Sequence, residues 1–191
     1  MALRKIATIG NPILRQVARK LTREELERPE TQRFIDDLVE TMMDANGAGI
    51  AAPQVYESIS VCVLHVKDNP RYPYKPNIPL TVLVNPEIEA KTEETFLNYE
   101  GCLSVPNLRG EVPRFTEVRV RAWDRNGLEL DIQARGITAG TYQHEIDHLQ
   151  GKLFVDRVVD PTSLCTWQDF ERYRQTDFVA RAKAVVARFG S

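Results

Sequence analysis

Apolar positions along this chain follow two rhythms, and the changes of rhythm mark its elements. Phe34, Ile35, Leu38, Val39, Met42 and Met43 recur at the three-and-four spacing of an amphipathic helix. Pro29 fits the first turn of that helix and Asn46-Gly47 its end, while Thr22 and Glu25 have the spacing of a capping box that starts a shorter helical turn before it. Residues 59–66 alternate and are rich in β-branched side chains, which predicts a strand with Cys62 and His65 as structural members. Short strands are predicted at 80–84 and 88–93, separated by Asn85-Pro86, and a hairpin joins 117–123 to 128–134 across Asp124-Arg125-Asn126-Gly127. A second helix is predicted from Ile137 or Thr138 to Leu149, closed by Gly151, with a brief strand or turn at 153–155. From 163 to 189 the chain reads as helical: Leu164, Trp167, Phe170, Phe178, Val185, Val186 and Phe189 are apolar anchors, and Arg172, Arg174, Arg181, Lys183 and Arg188 form a solvated basic face.

Between these elements, Gly10-Asn11-Pro12 is a turn that closes an extended entry segment, and 68–79, with four prolines and two tyrosines, reads as an exposed loop. Residues 47–54, Gly-Ala-Gly-Ile-Ala-Ala-Pro-Gln, form a small-residue loop that another backbone could approach closely. Its Gly-x-Gly neither follows a predicted strand nor opens a helix, which excludes the dinucleotide fingerprint.

Length and charge narrow the class. The 191 residues suffice for one domain, and 42% hydrophobic with 27% charged residues is ordinary for a globular chain. A net charge of -2 gives no reason to expect a direct nucleic-acid substrate. No apolar run reaches the length of a membrane span and residues 1–6 lack the apolar core of a secretory signal, so the expected location is cytoplasmic, with no membrane partner. Cys62, Cys102 and Cys165 are odd in number and unevenly spaced, which argues against a disulfide framework.

The chemistry concentrates in His144-Glu145-Ile146-Asp147-His148. One helical turn separates the two histidines, so both imidazoles can face one cation, and Glu145, one residue off that face, is placed to act as a general base. A surface helix that happens to carry two histidines is the plain alternative. A catalytic site of this type needs a third protein ligand and an open position. No histidine follows His148, and Cys102 in Glu100-Gly101-Cys102-Leu103-Ser104 is the distinctive upstream candidate, although an isolated cysteine is more often a core residue.

Together, Gly47-Ala48-Gly49-Ile50-Ala51-Ala52-Pro53-Gln54, Glu100-Gly101-Cys102-Leu103-Ser104 and His144-Glu145-Ile146-Asp147-His148 resemble, in order, the three signature motifs of the peptide deformylase family, and Gly10 to Arg15 is similar to its N-terminal segment. The resemblance implies an α+β fold, antiparallel sheets packed around a central metal-binding helix, with a C-terminal helix; the domain would be single, 1–191, with an extension at about 163–189. It implies a metal held by Cys102, His144 and His148, Fe(II) in the cell with zinc, nickel or cobalt in purified protein. The reaction would remove the formyl group from N-formylmethionyl peptides at the start of nascent chains. Glu145 would take a proton from water and deliver it to the amine, the Gln54 amide and the Leu103 backbone N–H would stabilise the oxyanion, and Ala48, Gly49 and Gly101 would bind the extended substrate. Glu100 and Arg114 resemble a charge pair that holds the cysteine loop. Gly140-Thr141-Tyr142 departs from the bulkier aliphatic residues expected at the wall of the methionine pocket. Two rival readings are a metalloendopeptidase and a structural Cys-His-His site in a binding module; either that module or the enzyme could dock on ribosomes through the basic C-terminal helix. Gln54, Glu145 and the small-residue loop argue against a purely structural site.

Overall fold

The computed structural model describes residues 2–68 and 74–191. Strand periodicity sets its architecture, because alternate side chains of one strand serve opposite faces. Strand β2 (Val61–Val66) sends Val61 and Val63 into a core beneath helix α2 (Pro29–Asp44), and Cys62, Leu64 and Val66 into a core around helix α3 (Gly136–Leu149). Strand β3 (Ile78–Ala90) divides likewise, with Val82 and Val84 on the α2 side and Leu83 on the α3 side. With β1 (Gly49–Ala51), β6 (Glu117–Trp123) and β7 (Glu129–Arg135) these strands form an antiparallel sheet in the order β1-β2-β3-β6-β7. A second sheet, β4 (Thr95–Cys102), β5 (Val105–Phe115) and β8 (Cys165–Thr166), lies beyond α3. The result is the expected α+β arrangement of antiparallel sheets around a central helix.

Helix α2 begins with Pro29 at its first position, where a missing N–H costs nothing, and buries Phe34, Ile35, Leu38 and Met42. The short α1 (Arg23–Glu27) carries the reciprocal capping box of Thr22 and Glu25. Helix α3 differs from both, since every residue in it except His144 is buried. Its end is fixed by Gly151 at φ +70°, where a Cβ would stand 2.6 Å from the Arg15 carbonyl oxygen.

Several local expectations change. The two strands predicted at 80–84 and 88–93 are one strand, because Asn85 adopts φ 53° and absorbs the proline as an irregularity in the β3–β6 pairing. Gly49 to Ala51, expected as loop, pairs with β2. Residues 153–155 enter a 3-10 turn, Phe154–Arg157. Of the expected loop at 68–79, residues 69–73 lie outside the described residues, and its last two residues open β3.

The segment from 163 to 189 is β8 followed by α4 (Trp167–Tyr173) and α5 (Gln175–Phe189). It is part of the main core and not a separable appendage. Phe170, Phe178 and Ala182 are buried there, and Tyr99 packs against Phe170 and Phe178 with ring centroids 5.0 and 5.8 Å apart. The basic face is partly spent on the fold itself, through Arg181 to Glu111 and Asp177 and through Arg188 to Glu94.

Candidate active site

Three segments distant in sequence meet at α3. The β4 end supplies Glu100, Gly101 and Cys102, the β1 segment supplies Gly49 and Gln54, and α3 supplies His144, Glu145 and His148. Donor atoms of Cys102, His144 and His148 lie within 4.8 Å of one another, and among the described residues this cluster has no fourth member. Three donors with an open position is the ligand count of a catalytic site.

The donor chemistry fits a metal ion. Cys102 Sγ is 3.2 Å from His148 Nε2, and the two imidazole centroids are 5.0 Å apart. His144 Nδ1 donates to Glu100 Oε2 at 2.8 Å, which leaves Nε2 as the free lone pair, the usual outer contact of a ligating histidine. Burial holds His148 well below the ordinary imidazole range, so its ring is neutral and able to coordinate. The thiol sulfur accepts from Ser104 N–H at 3.4 Å and from Gln54 Nε2 at 3.5 Å.

A buried charge network holds these donors in place. Arg114, 1% exposed, donates Nε and Nη2 to the two oxygens of Glu100 at 2.7 and 2.8 Å and Nη1 to Asp147 at 2.6 Å. Burial alone would raise the Glu100 pKa, but the Arg114 charge and hydrogen bonds, with that of His144, bring it well below the usual carboxylate range. Asp147 also accepts two bonds from Arg157 at 2.5 Å. Glu100 thus orients His144 while being fixed itself. The expected Glu100–Arg114 pair is present; Asp147 and Ser104 were not singled out from sequence, although both lie inside the quoted motifs.

Glu145 occupies a different environment. It is 4% exposed, and its Oε2 finds no hydrogen-bond partner among the described residues. Burial raises its pKa to about 7 against the opposing pull of the nearby cations. A carboxyl poised near neutrality beside a ligand cluster can both take and return a proton. Gly49 makes this placement possible, because a Cβ there would stand 2.5 Å from the Glu145 carboxyl carbon.

Gln54 is aimed by its own turn: Oε1 accepts from Ala51 N–H at 2.8 Å, so Nε2 must face Cys102 and Ser104. Leu103 lies in the tight turn between β4 and β5, and Ala48 and Gly101 line the same small cavity as Gln54 and Glu145. All nine site residues singled out from sequence therefore come together. Sequence reasoning missed three further lining residues, Lys75, Asn98 and Arg109, which sit in no motif. Lys75 Nζ donates to Thr141 Oγ1 at 3.1 Å, and burial around the ammonium brings its pKa down to about 8.

The family model described as polypeptide deformylase matches residues 3–163. Peptide deformylase 2 of Ralstonia nicotianae is 41% identical over 177 residues, 93% of this chain and 94% of that protein. Peptide deformylase 1 of Nitrosomonas europaea is 39% identical over 158 residues, 83% of this chain and 89% of that protein. Among solved structures, the class I type b peptide deformylase of Acinetobacter baumannii with Met-Ala-Ser bound superposes with a TM-score of 0.79 at 40% identity, covering 82% of this chain and 99% of that one.

Proposed function

This chain belongs to the peptide deformylase family, and from that premise we propose how its own residues carry out the family's reaction, hydrolysis of the formyl group from the N-formylmethionine that begins nascent polypeptides. Glu145 is the proton carrier. Its carboxylate takes a proton from the attacking water and delivers it to the amine as the formamide C–N bond breaks, releasing formate. The observation that supports this is its isolation: a buried carboxyl with one oxygen unpartnered among the described residues and a pKa raised to about 7, one residue from a metal ligand.

Cys102, His144 and His148 hold the metal in this reading, and when bound it supplies Lewis acidity, making hydroxide available at neutral pH. Gln54 stabilises the developing oxyanion through Nε2, which its contact with Ala51 N–H already orients, and the Leu103 backbone N–H is the second donor. Each such donor is typically worth about 2.7 to 4 kcal/mol of barrier. Ala48, Gly49 and Gly101 present backbone to an extended peptide, as a sheet edge receives an added strand. The metal in the cell is Fe(II), with zinc, nickel or cobalt substituting in purified protein; thiolate with imidazole accommodates all of them.

The chain acts as one catalytic domain in the cytoplasm, where a reducing environment suits its three free cysteines. Docking on the ribosome would use the exposed basic residues of the C-terminal segment, Arg172, Arg174 and Lys183. The deciding experiment is anaerobic purification with metal analysis, followed by assay of Glu145→Gln on formyl-Met-Ala-Ser. The variant should retain about one equivalent of metal and lose at least about a thousandfold in kcat, since it can neither accept nor return the proton. Near-normal turnover with full metal would refute this role for Glu145.

A further inference from the structure

A glutamine carboxamide is not aimed by its own chain, because its last side-chain torsion is broad and nearly two-fold. At Gln54, 1% exposed, the aim comes from two neighbours. Oε1 accepts from Ala51 N–H at 2.8 Å, and Nε2 donates to the Ser104 hydroxyl oxygen at 3.1 Å. A carboxamide offers one acceptor oxygen and two N–H bonds in a single plane. Held at the oxygen and at one N–H, that plane is fixed, and the second N–H is left for the side where Cys102 Sγ lies 3.5 Å from Nε2.

Ser104 has no exposed surface, and its backbone is held independently of its hydroxyl. Its carbonyl accepts from Ile9 N–H at 2.7 Å, and its N–H donates to Cys102 Sγ at 3.4 Å. The Gln54 carbonyl accepts from Ala7 N–H at 2.8 Å. One stretch of the entry segment, Ala7 to Ile9, therefore bonds the turn that carries Gln54 and the turn that carries Ser104. Backbone bonds bring the two segments together, and among the described residues the Ser104 hydroxyl bonds to the Gln54 amide and to nothing else.

Resting on the deformylase reading above, in which Gln54 donates to the developing oxyanion, we propose that Ser104 is the positioning residue of that donor. A donor already aimed at the place where charge develops needs no reorganisation at the moment of reaction. Without the hydroxyl, the carboxamide keeps only its bond to Ala51 N–H and can swing about it, so the amide must be realigned in every turnover. Fully buried, Ser104 reaches the substrate only through Gln54. Its removal therefore acts on kcat and leaves the binding of the peptide alone. Removing an oxyanion donor outright costs about 10²- to 10³-fold in kcat, and losing its aim while keeping the donor costs part of that, about tenfold.

The test is a double-mutant cycle on formyl-Met-Ala-Ser with metal-loaded parent, Ser104→Ala, Gln54→Ala and the double variant, each checked for metal content and thermal midpoint. Ser104→Ala should keep about one equivalent of metal and a near-parent KM and lose about tenfold in kcat, whereas in the Gln54→Ala background the same change should cost less than about twofold. A second readout needs no turnover: in zinc-loaded protein the Gln54 side-chain NH₂ resonances, identified by their loss in Gln54→Ala, should report an ordered amide in the parent and a mobile one in Ser104→Ala. A Ser104→Ala kcat within about twofold of the parent, an equal penalty in both backgrounds, loss of metal or of folded protein in Ser104→Ala, or an amide equally ordered with and without the hydroxyl would each overturn the proposal while leaving the role of Gln54 intact. Near-parent kcat in Gln54→Ala would instead overturn the oxyanion reading of Gln54, and the proposal with it.

Discussion

Gly49→Ala isolates the position of the Glu145 carboxylate from its chemistry. The new Cβ would stand 2.5 Å from both Cδ and Oε1 of Glu145 and 2.6 Å from Cγ, where ordinary contact begins at 3.4 Å. Gly49 is paired with Leu64 in regular β geometry, so alanine adds no backbone strain and the side chain must yield. The retreat required is close to ~1 Å, and a misplacement of that size costs on the order of 10² in rate. We expect kcat on formyl-Met-Ala-Ser to fall about a hundredfold, with metal content and thermal midpoint nearly unchanged. The backbone N–H and C=O that Gly49 would offer a substrate in the proposed function survive the change, so KM should move little. Glu145→Asp supplies the control, because the shorter acid no longer reaches the space the methyl takes. It should be slow by itself, and adding Gly49→Ala to it should cost less than about threefold, a coupling between the two sites. A single Gly49→Ala variant with kcat within threefold of the parent, or an equal penalty in the Glu145→Asp background, would show that this clash does not govern catalysis.

Cys102→Ala should abolish stoichiometric metal binding as well as activity, because two imidazoles then remain; elemental analysis that finds one equivalent would remove Cys102 from the ligand set. Arg114→Met leaves Glu100, 4% exposed, without its guanidinium and Asp147, 7% exposed, with Arg157 alone, and should destabilise the fold by roughly 3 to 5 kcal/mol in urea denaturation. A loss under about 1 kcal/mol would mean that Glu100 and Asp147 are held by other means. Truncation after Ser163 should yield insoluble protein, since it uncovers Tyr99 and removes Phe170 and Phe178 from the core; a soluble, active fragment would contradict that packing.

What could be read from the sequence is what local rules encode. The i, i+4 histidines, the Thr22 capping box, Pro29 at a helix start and the 117–135 hairpin each depend on neighbours within a few residues, and all appear in the fold. Strands β4 and β5 escaped because their sequences mix Gly, Pro, Asn and buried charge, and a strand that exists to hold Glu100, Arg109 and Arg114 carries little apolar alternation. The division at Arg174 escaped for a related reason. Apolar anchors continue on both sides of it, and only the packing of Phe170 and Phe178 against one another, 5.9 Å between centroids, requires the chain to bend there. Lys75 and Asn98 had no sequence signal: their part in the site depends on where the fold carries them, not on any spacing to the motifs.

The C-terminal segment and the substrate pocket are physically one structure. Tyr74 packs edge-on against Phe178 at 5.0 Å and accepts a hydrogen bond from Arg109, whose guanidinium lies 4.1 Å over Phe170 and 4.5 Å over Trp167. Lys75 is the next residue after Tyr74, so the aromatic cluster built by α4 and α5 fixes where its ammonium stands. Arg109 also donates to the Tyr99 carbonyl at 2.8 Å, beside Asn98 and Glu100 on β4. The wall of the pocket and the cysteine strand are therefore anchored to the same buried guanidinium. This explains why the helix that sequence reading treated as an extension is packed like core: it supports Arg109 and the segment that carries Lys75, two cations lining the cavity, while the candidate metal-ligand motifs, lying on β4 and α3, are held by the separate Arg114 network.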